Sequence, residues 1–165
     1  MSDSKSTSKR LLAFLASPVG LIGVSSVLTV LLAIGHASAY PWNSADNAQE
    51  LQLASSMKSV DFNFMGEHST YWNLYFGWGL LIAVLLLTMA IVLWLLADIT
   101  PSAPRRLGAI IGIISANCLV GAILSFRYFY VPPCLFYSAI FLLLFAASAQ
   151  LLGTNSRRFT QATSR

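Results

Sequence analysis

The chain predicts an all-α integral membrane protein, an antiparallel four-helix transmembrane bundle, and three observations carry that prediction. Four stretches, Pro18 to Ala37, Trp72 to Ala97, Leu107 to Phe126 and Pro132 to Leu152, contain no Asp, Glu, Lys or Arg. Each supplies the ~20 residues that cross ~30 Å of hydrocarbon at ~1.5 Å of helix rise per residue. The basic residues, finally, gather in the connections on one side of the implied membrane. The same facts argue against a soluble fold, because four such segments in 165 residues leave almost no surface for water. In lipid every backbone N–H and C=O must be paired, which an open sheet cannot achieve.

Orientation follows from the excess of Lys and Arg in cytoplasmic loops. Lys5, Lys9 and Arg10 precede span one, Arg105 and Arg106 join spans two and three, and Arg157, Arg158 and Arg165 follow span four, eight of the 10 basic residues. Lys58 and Arg127 fall on the other side with Asp46, Glu50, Asp61 and Glu67. Both termini are therefore expected in the cytoplasm. The net charge of +4 is a topological signal. Nucleic acid is not an expected partner, since no basic patch interleaved with aromatics occurs.

Taken in order, residues 1–10 are polar and expected to be disordered, as are residues 155–165. Leu11 to Ala16 is expected to lie along the interface. Ser17 then serves as N-cap and Pro18 as the first helical residue of span one. Ala37-Ser38-Ala39 before Tyr40 fits a signal-peptidase site, but the apolar run from Leu11 to Ala37 is about twice an ordinary signal core of ~7–15 residues. A retained anchor is the expectation. The outer loop, residues 38–71, is long enough to carry structure of its own. Leu53, Met57, Val60 and Phe64 make one stripe at helical spacing, predicting a short amphipathic helix over Asp46 to Val60. Short links, Asp98 to Arg106 and Arg127 to Val131, make spans two, three and four antiparallel neighbours. Pro132 and Pro133 suit the first turn of span four.

Small residues allow helices to approach closely in lipid. Gly108 with Gly112, Ala109 with Ala116, and Gly79 with Ala83 are the candidate contacts, serving intrachain contact first and dimerisation second. Polar residues at membrane depth are the usual pointers to function. Asn117 lies near the middle of span three and is expected to make an interhelical hydrogen bond, Thr88 and Ser115 to bond back to their own helices, and Asn73 to lie near the outer end of span two. No ionisable group occupies the centre of a span, which argues against a proton-coupled carrier or pump.

Ionisable residues collect instead at the outer interface: His36, Glu67, His68 and Arg127, ringed by aromatic residues from Tyr71 to Trp78 and from Phe126 to Tyr130. An aromatic girdle with interfacial Arg is the ordinary anchoring device. The same groups are also the candidate binding set, together with Asn73 and Asn117. Two His and one carboxylate are ligand types of a catalytic zinc site, but no HExxH helix is present. A haem held by His36 and His68 is a further alternative. The leading expectation contains no metal and no cofactor. Cys118 and Cys134 differ in depth by on the order of 10 Å by helix rise, too far for a disulfide. No nucleophile elbow, P-loop or dinucleotide fingerprint occurs.

Met57 to Gly66, Ser69 to Gly79 and Arg127 to Pro133 resemble the corresponding stretches of a family of small four-span bacterial inner-membrane proteins to which no chemistry is assigned. The resemblance implies a bacterial inner membrane and transfers no active site. The expected function is a non-enzymatic membrane protein binding a lipid, a quinone-like molecule or a partner protein at its outward-facing interface. A membrane enzyme or metal or haem protein using His36, Glu67 and His68 is the alternative, and an oligomeric small-molecule transporter the third.

Overall fold

The computed structural model describes residues 2–39, 45–98 and 104–163. It is mostly helical. In chain order the elements are α1 (Ser2–Leu15), α2 (Pro18–Ala39), α3 (Ala48–Ser59), β1 (Asp61–Phe64), β2 (Glu67–Thr70), α4 (Tyr71–Asp98), α5 (Pro104–Tyr128) and α6 (Val131–Thr163). Four helical segments are long and apolar enough to cross a membrane: Pro18–Ser38, Tyr71–Asp98, Pro104–Tyr128 and Val131–Gly153. The protein is thus a multi-pass membrane protein. Tyr40, and most of the link between α4 and α5, lie outside the described residues.

The chain forms two compact units, Met1–Leu32 with Thr88–Arg165, and Ala33–Leu87. In the first unit, α1 carries helix into the polar amino-terminal segment for which composition predicted no order. No Gly or Pro interrupts Ser2 to Leu15, and Leu11, Leu12, Phe14 and Leu15 are exposed along it. Ser17 ends α1 and begins α2. Its Oγ donates to the Phe14 carbonyl at 2.6 Å and accepts from the Gly20 N–H at 3.1 Å, the N-cap that Ser17-Pro18 predicted. Gly20 is obligatory here, because a Cβ would run into the Phe14 carbonyl oxygen.

Helix α2 buries Ile22, Ser25, Ser26 and Thr29, one stripe at helical spacing. Ser25 and Thr29 return their hydroxyl protons to the carbonyls of Leu21 and Ser25, while Ser26 Oγ donates to the Ala90 carbonyl of α4 at 2.8 Å. With almost no hydrophobic drive between helices in lipid, small hydroxyl side chains let backbones approach and supply the bond.

The closest helix pair in this unit is α5 with α6. The residues α5 buries are Gly108, Ile111, Ser115, Cys118, Ala122 and Ser125, alternating by three and four, the seam of 3-4 ridge packing. A Cβ on Gly108 would lie 3.1 Å from Leu151 Cβ, and one on Gly121 would lie 2.8 Å from the Tyr137 ring. Ser148 Oγ donates to the Gly108 carbonyl at 2.8 Å and Ser115 Oγ to the Phe141 carbonyl at 3.2 Å. Of the small residues picked out by spacing, Gly108 and Gly112 face the seam, whereas Ala109 and Ala116 are exposed. The reason is register: the seam runs through 108, 111 and 115, and positions 109 and 116 sit about 100° further round the helix. Ser115 likewise bonds across to α6, not back to its own helix.

The second unit holds the long loop. Asn47 caps α3: its Oδ1 accepts from the Glu50 N–H at 2.9 Å, and Glu50 Oε2 accepts from the Asp46 N–H at 2.9 Å, a reciprocal arrangement of the capping-box type. The helix stops at Ser59, with Val60 extended at φ −87° and ψ 110°. The predicted stripe therefore breaks after Met57: Val60 is the C-cap and Phe64 lies in β1. No residue of α3 is buried, and Leu51 and Leu53 are both exposed. These two positions face nearly opposite ways on a helix, so the apolar side is weak.

A hairpin follows that helical periodicity did not foresee. β1 pairs antiparallel with β2, Phe64 opposite Glu67 and Asn63 opposite His68. The two turn residues, Met65 at φ 55° and Gly66 at φ 94°, both have positive φ, the type I′ turn matched to strand twist. Asn63 Oδ1 accepts from the Gly66 N–H at 3.0 Å and closes the turn. Thr70 Oγ1 then accepts from the Asn73 N–H at 3.2 Å and caps α4. Lys58 Nζ stands 4.5 Å from the Trp72 ring centroid, and Phe62 packs on Tyr71 with centroids 5.0 Å apart, fastening α3 and the hairpin to the start of α4.

Candidate functional site

His36, in the last turn of α2, donates from Nε2 to the Gly79 carbonyl of α4 at 3.0 Å. Gly79 itself is buried. Glu67 opens β2 and is exposed. His68 faces Asn63, Nε2 to Nδ2 at 3.3 Å. Because Asn63 Oδ1 accepts from the Gly66 N–H, its Nδ2 is the donor available to His68 Nε2. Asn73 contributes its backbone N–H to the α4 cap and has an exposed side chain.

His36 is thus engaged with a helix carbonyl and His68 with the hairpin. Among the described residues no three His, Cys, Asp or Glu side chains come together as a metal ion requires. His36, Glu67 and His68 accordingly do not assemble the ligand set weighed from sequence. Arg127 lies in the last turn of α5 and is exposed, as is Asn117 at mid-helix. The interhelical hydrogen bond expected of Asn117 is not formed among the described residues. Cys118 is buried in the α5–α6 seam and Cys134 is half-buried on α6; both are free thiols.

A concave site lies elsewhere, in the first unit. Phe14 and Leu15 of α1, the stripe Gly20, Gly23, Val24, Val27 and Leu28 of α2, and Trp94, Ala97 and Asp98 of α4 line a groove of about 450 Å³. That volume falls in the ~300–1,000 Å³ range of small-molecule sites. Two glycines make it possible. Gly20 lets the end of α1, at the Phe14 carbonyl and Leu15, lie against the first turn of α2, and Gly23 forms open floor, with nothing within 4 Å of where its Cβ would stand. Asp98, the final residue of α4, is the one ionisable group among the described lining residues and is exposed.

Charge and shape here divide along the groove. The walls offer dispersion contacts and a Trp face, and the carboxylate offers only acceptors. The arrangement accommodates a hydrocarbon chain whose polar end donates hydrogen bonds or carries positive charge. The site escaped the sequence reading because its parts are far apart in the chain. The available signal was the Gly20, Gly23, Val27 spacing at one end of span one, combined with a single carboxylate at the end of span two.

Compared with protein-family models, with curated proteins and with solved structures, the chain finds no match.

Proposed function

We propose that the protein is a non-enzymatic multi-pass protein of a bacterial inner membrane, both termini cytoplasmic, that holds an aminophospholipid by one acyl chain in the groove between α1, α2 and α4. The observation that carries this reading is the pairing of an apolar groove with the carboxylate of Asp98, the one ionisable group among its described lining residues. An ammonium headgroup complements that charge, whereas an anionic headgroup is repelled by it. The orientation is supported by the excess of Lys and Arg beside the amino terminus, the α4–α5 link and the carboxyl terminus. On this orientation the groove opens towards the cytoplasmic leaflet. This places the proposed ligand on the side opposite to the outward-facing interface expected from the sequence alone.

Native mass spectrometry from nanodiscs of mixed phosphatidylethanolamine and phosphatidylglycerol tests the reading. A retained phosphatidylethanolamine is expected, lost in Gly23→Leu, which fills the floor, and weakened in Asp98→Asn. Equal retention of both lipids, or retention unchanged in Gly23→Leu, contradicts it.

A second reading, recognition of a partner protein by the hairpin, is favoured by one observation. Met65 is 91 % exposed at the turn and sits at φ 55°, where a bulky side chain is strained. A photo-crosslinker at position 65 captures a membrane protein under this reading and only lipid or nothing without it.

A further inference from the structure

Asn117 sits thirteen residues after Pro104 and eleven before Tyr128, so its carboxamide lies close to the middle of the hydrocarbon layer. Its side chain is exposed, and among the described residues nothing in the chain hydrogen-bonds it. A bare amide at that depth is heavily penalised, because hydrocarbon offers it no hydrogen-bond partner. Water satisfies such a group in a soluble protein; lipid cannot.

The surface around it is the face of α5 turned away from α6. It comprises Ile110, Ile113, Asn117, Val120 and Leu124, all exposed, at i, i+3, i+7, i+10 and i+14, with Ala109 and Ala116 along its edge. The seam with α6 through Gly108, Ser115 and Cys118 lies on the opposite side of α5. Ala109 and Ala116, one heptad apart, permit a second helix to approach closely.

We infer that α5 pairs with α5 of a second copy, in parallel, through a symmetric Asn117–Asn117 hydrogen-bond pair. Three arguments select a second copy as the occupant. A carboxamide carries two donors and two acceptor lone pairs, so it complements its own image across a two-fold axis. Copies inserted with the same orientation hold Asn117 at the same depth, which a parallel crossing requires. A single Asn in an otherwise apolar helix seam also fixes register and oligomer state. The inference is independent of the groove, which is lined by α1, α2 and α4.

The test is energy transfer between donor- and acceptor-labelled full-length protein in liposomes across a series of protein-to-lipid ratios. The parent is expected to dimerise, and Asn117→Leu to raise the dissociation constant about tenfold, the loss of two interhelical hydrogen bonds. Asn117→Gln, which keeps an amide, is expected to restore most of the transfer, and Ala116→Ile to abolish it by holding the helices apart. Circular dichroism and unchanged α5–α6 stability confirm that each variant is folded. A parent that is monomeric at all ratios, an Asn117→Leu protein that dimerises as tightly as the parent, or a dimer insensitive to Ala116→Ile overturns the inference.

Discussion

Single atoms decide how closely the helices approach. At Gly121 a Cβ would stand 2.8 Å from the Tyr137 ring, while at Gly35 and Gly77 it meets nothing within 4 Å. Gly121→Val is therefore expected to destabilise the α5–α6 pair by about 1–3 kcal/mol through overpacking, and Gly35→Ala or Gly77→Ala to stay within ~0.5 kcal/mol of the parent. Denaturation by SDS in mixed micelles measures both; equal losses at all three positions would show that the glycine seam is not the close contact described. Ser26, whose hydroxyl reaches the Ala90 carbonyl at 2.8 Å, is a milder case. Ser26→Ala is expected to cost ~0.6 kcal/mol, because the carbonyl keeps its helical partner. Neither contact was fully legible in the sequence. Gly108 and Gly112 were picked out by spacing and do face α6, but Ala109 and Ala116 were picked out in the same way and face away. Spacing defines a face without saying which neighbour it meets.

Elements differ in how strongly the sequence announces them. The long apolar helices are overdetermined by length, composition and lipid, and span boundaries read from hydropathy lie within three residues of those in the structure. Ser17-Pro18 gave the start of α2 from local chemistry alone, and Ser17 Oγ makes the cap. The hairpin is the opposite case. Asp61 to Thr70 contains a two-residue turn whose first member is Met65, and Met is a poor residue for positive φ, so the usual Asn-Gly signal is missing. The i+11 spacing of Phe64 from Leu53, which continued a supposed helical stripe, then masked the strand. Met65→Asn is expected to stabilise the hairpin by a few tenths to ~1 kcal/mol, read as slower amide exchange in β1 and β2. Faster exchange would mean that Met65 makes a contact worth more than its strain. Asn63→Ala, which removes both the Gly66 and His68 partners, is expected to speed exchange throughout the hairpin.

At the level of the whole molecule, the proposed orientation rests on charge and the proposed function on the groove. A Cys introduced at Lys58, in a Cys134→Ser background, is expected to react with a membrane-impermeant maleimide in intact cells, and one at Arg157 only after permeabilisation; the reverse pattern would invert the topology. The membrane class was legible because it follows from bulk composition. The groove was not, since it joins residues 14–28 to residues 94–98, and no periodicity within one segment reports a concavity between two. The measurement that tests the central claim most directly is quenching of Trp94 fluorescence by brominated acyl chains, with Trp42, Trp72 and Trp78 replaced by Phe. Trp94 lines the groove. Brominated phosphatidylethanolamine as a minor component is predicted to quench it more strongly than the same fraction of brominated phosphatidylglycerol, with the difference lost in Asp98→Asn. Equal quenching by the two lipids, unchanged in that variant, would show that the groove meets only bulk lipid and would contradict the account.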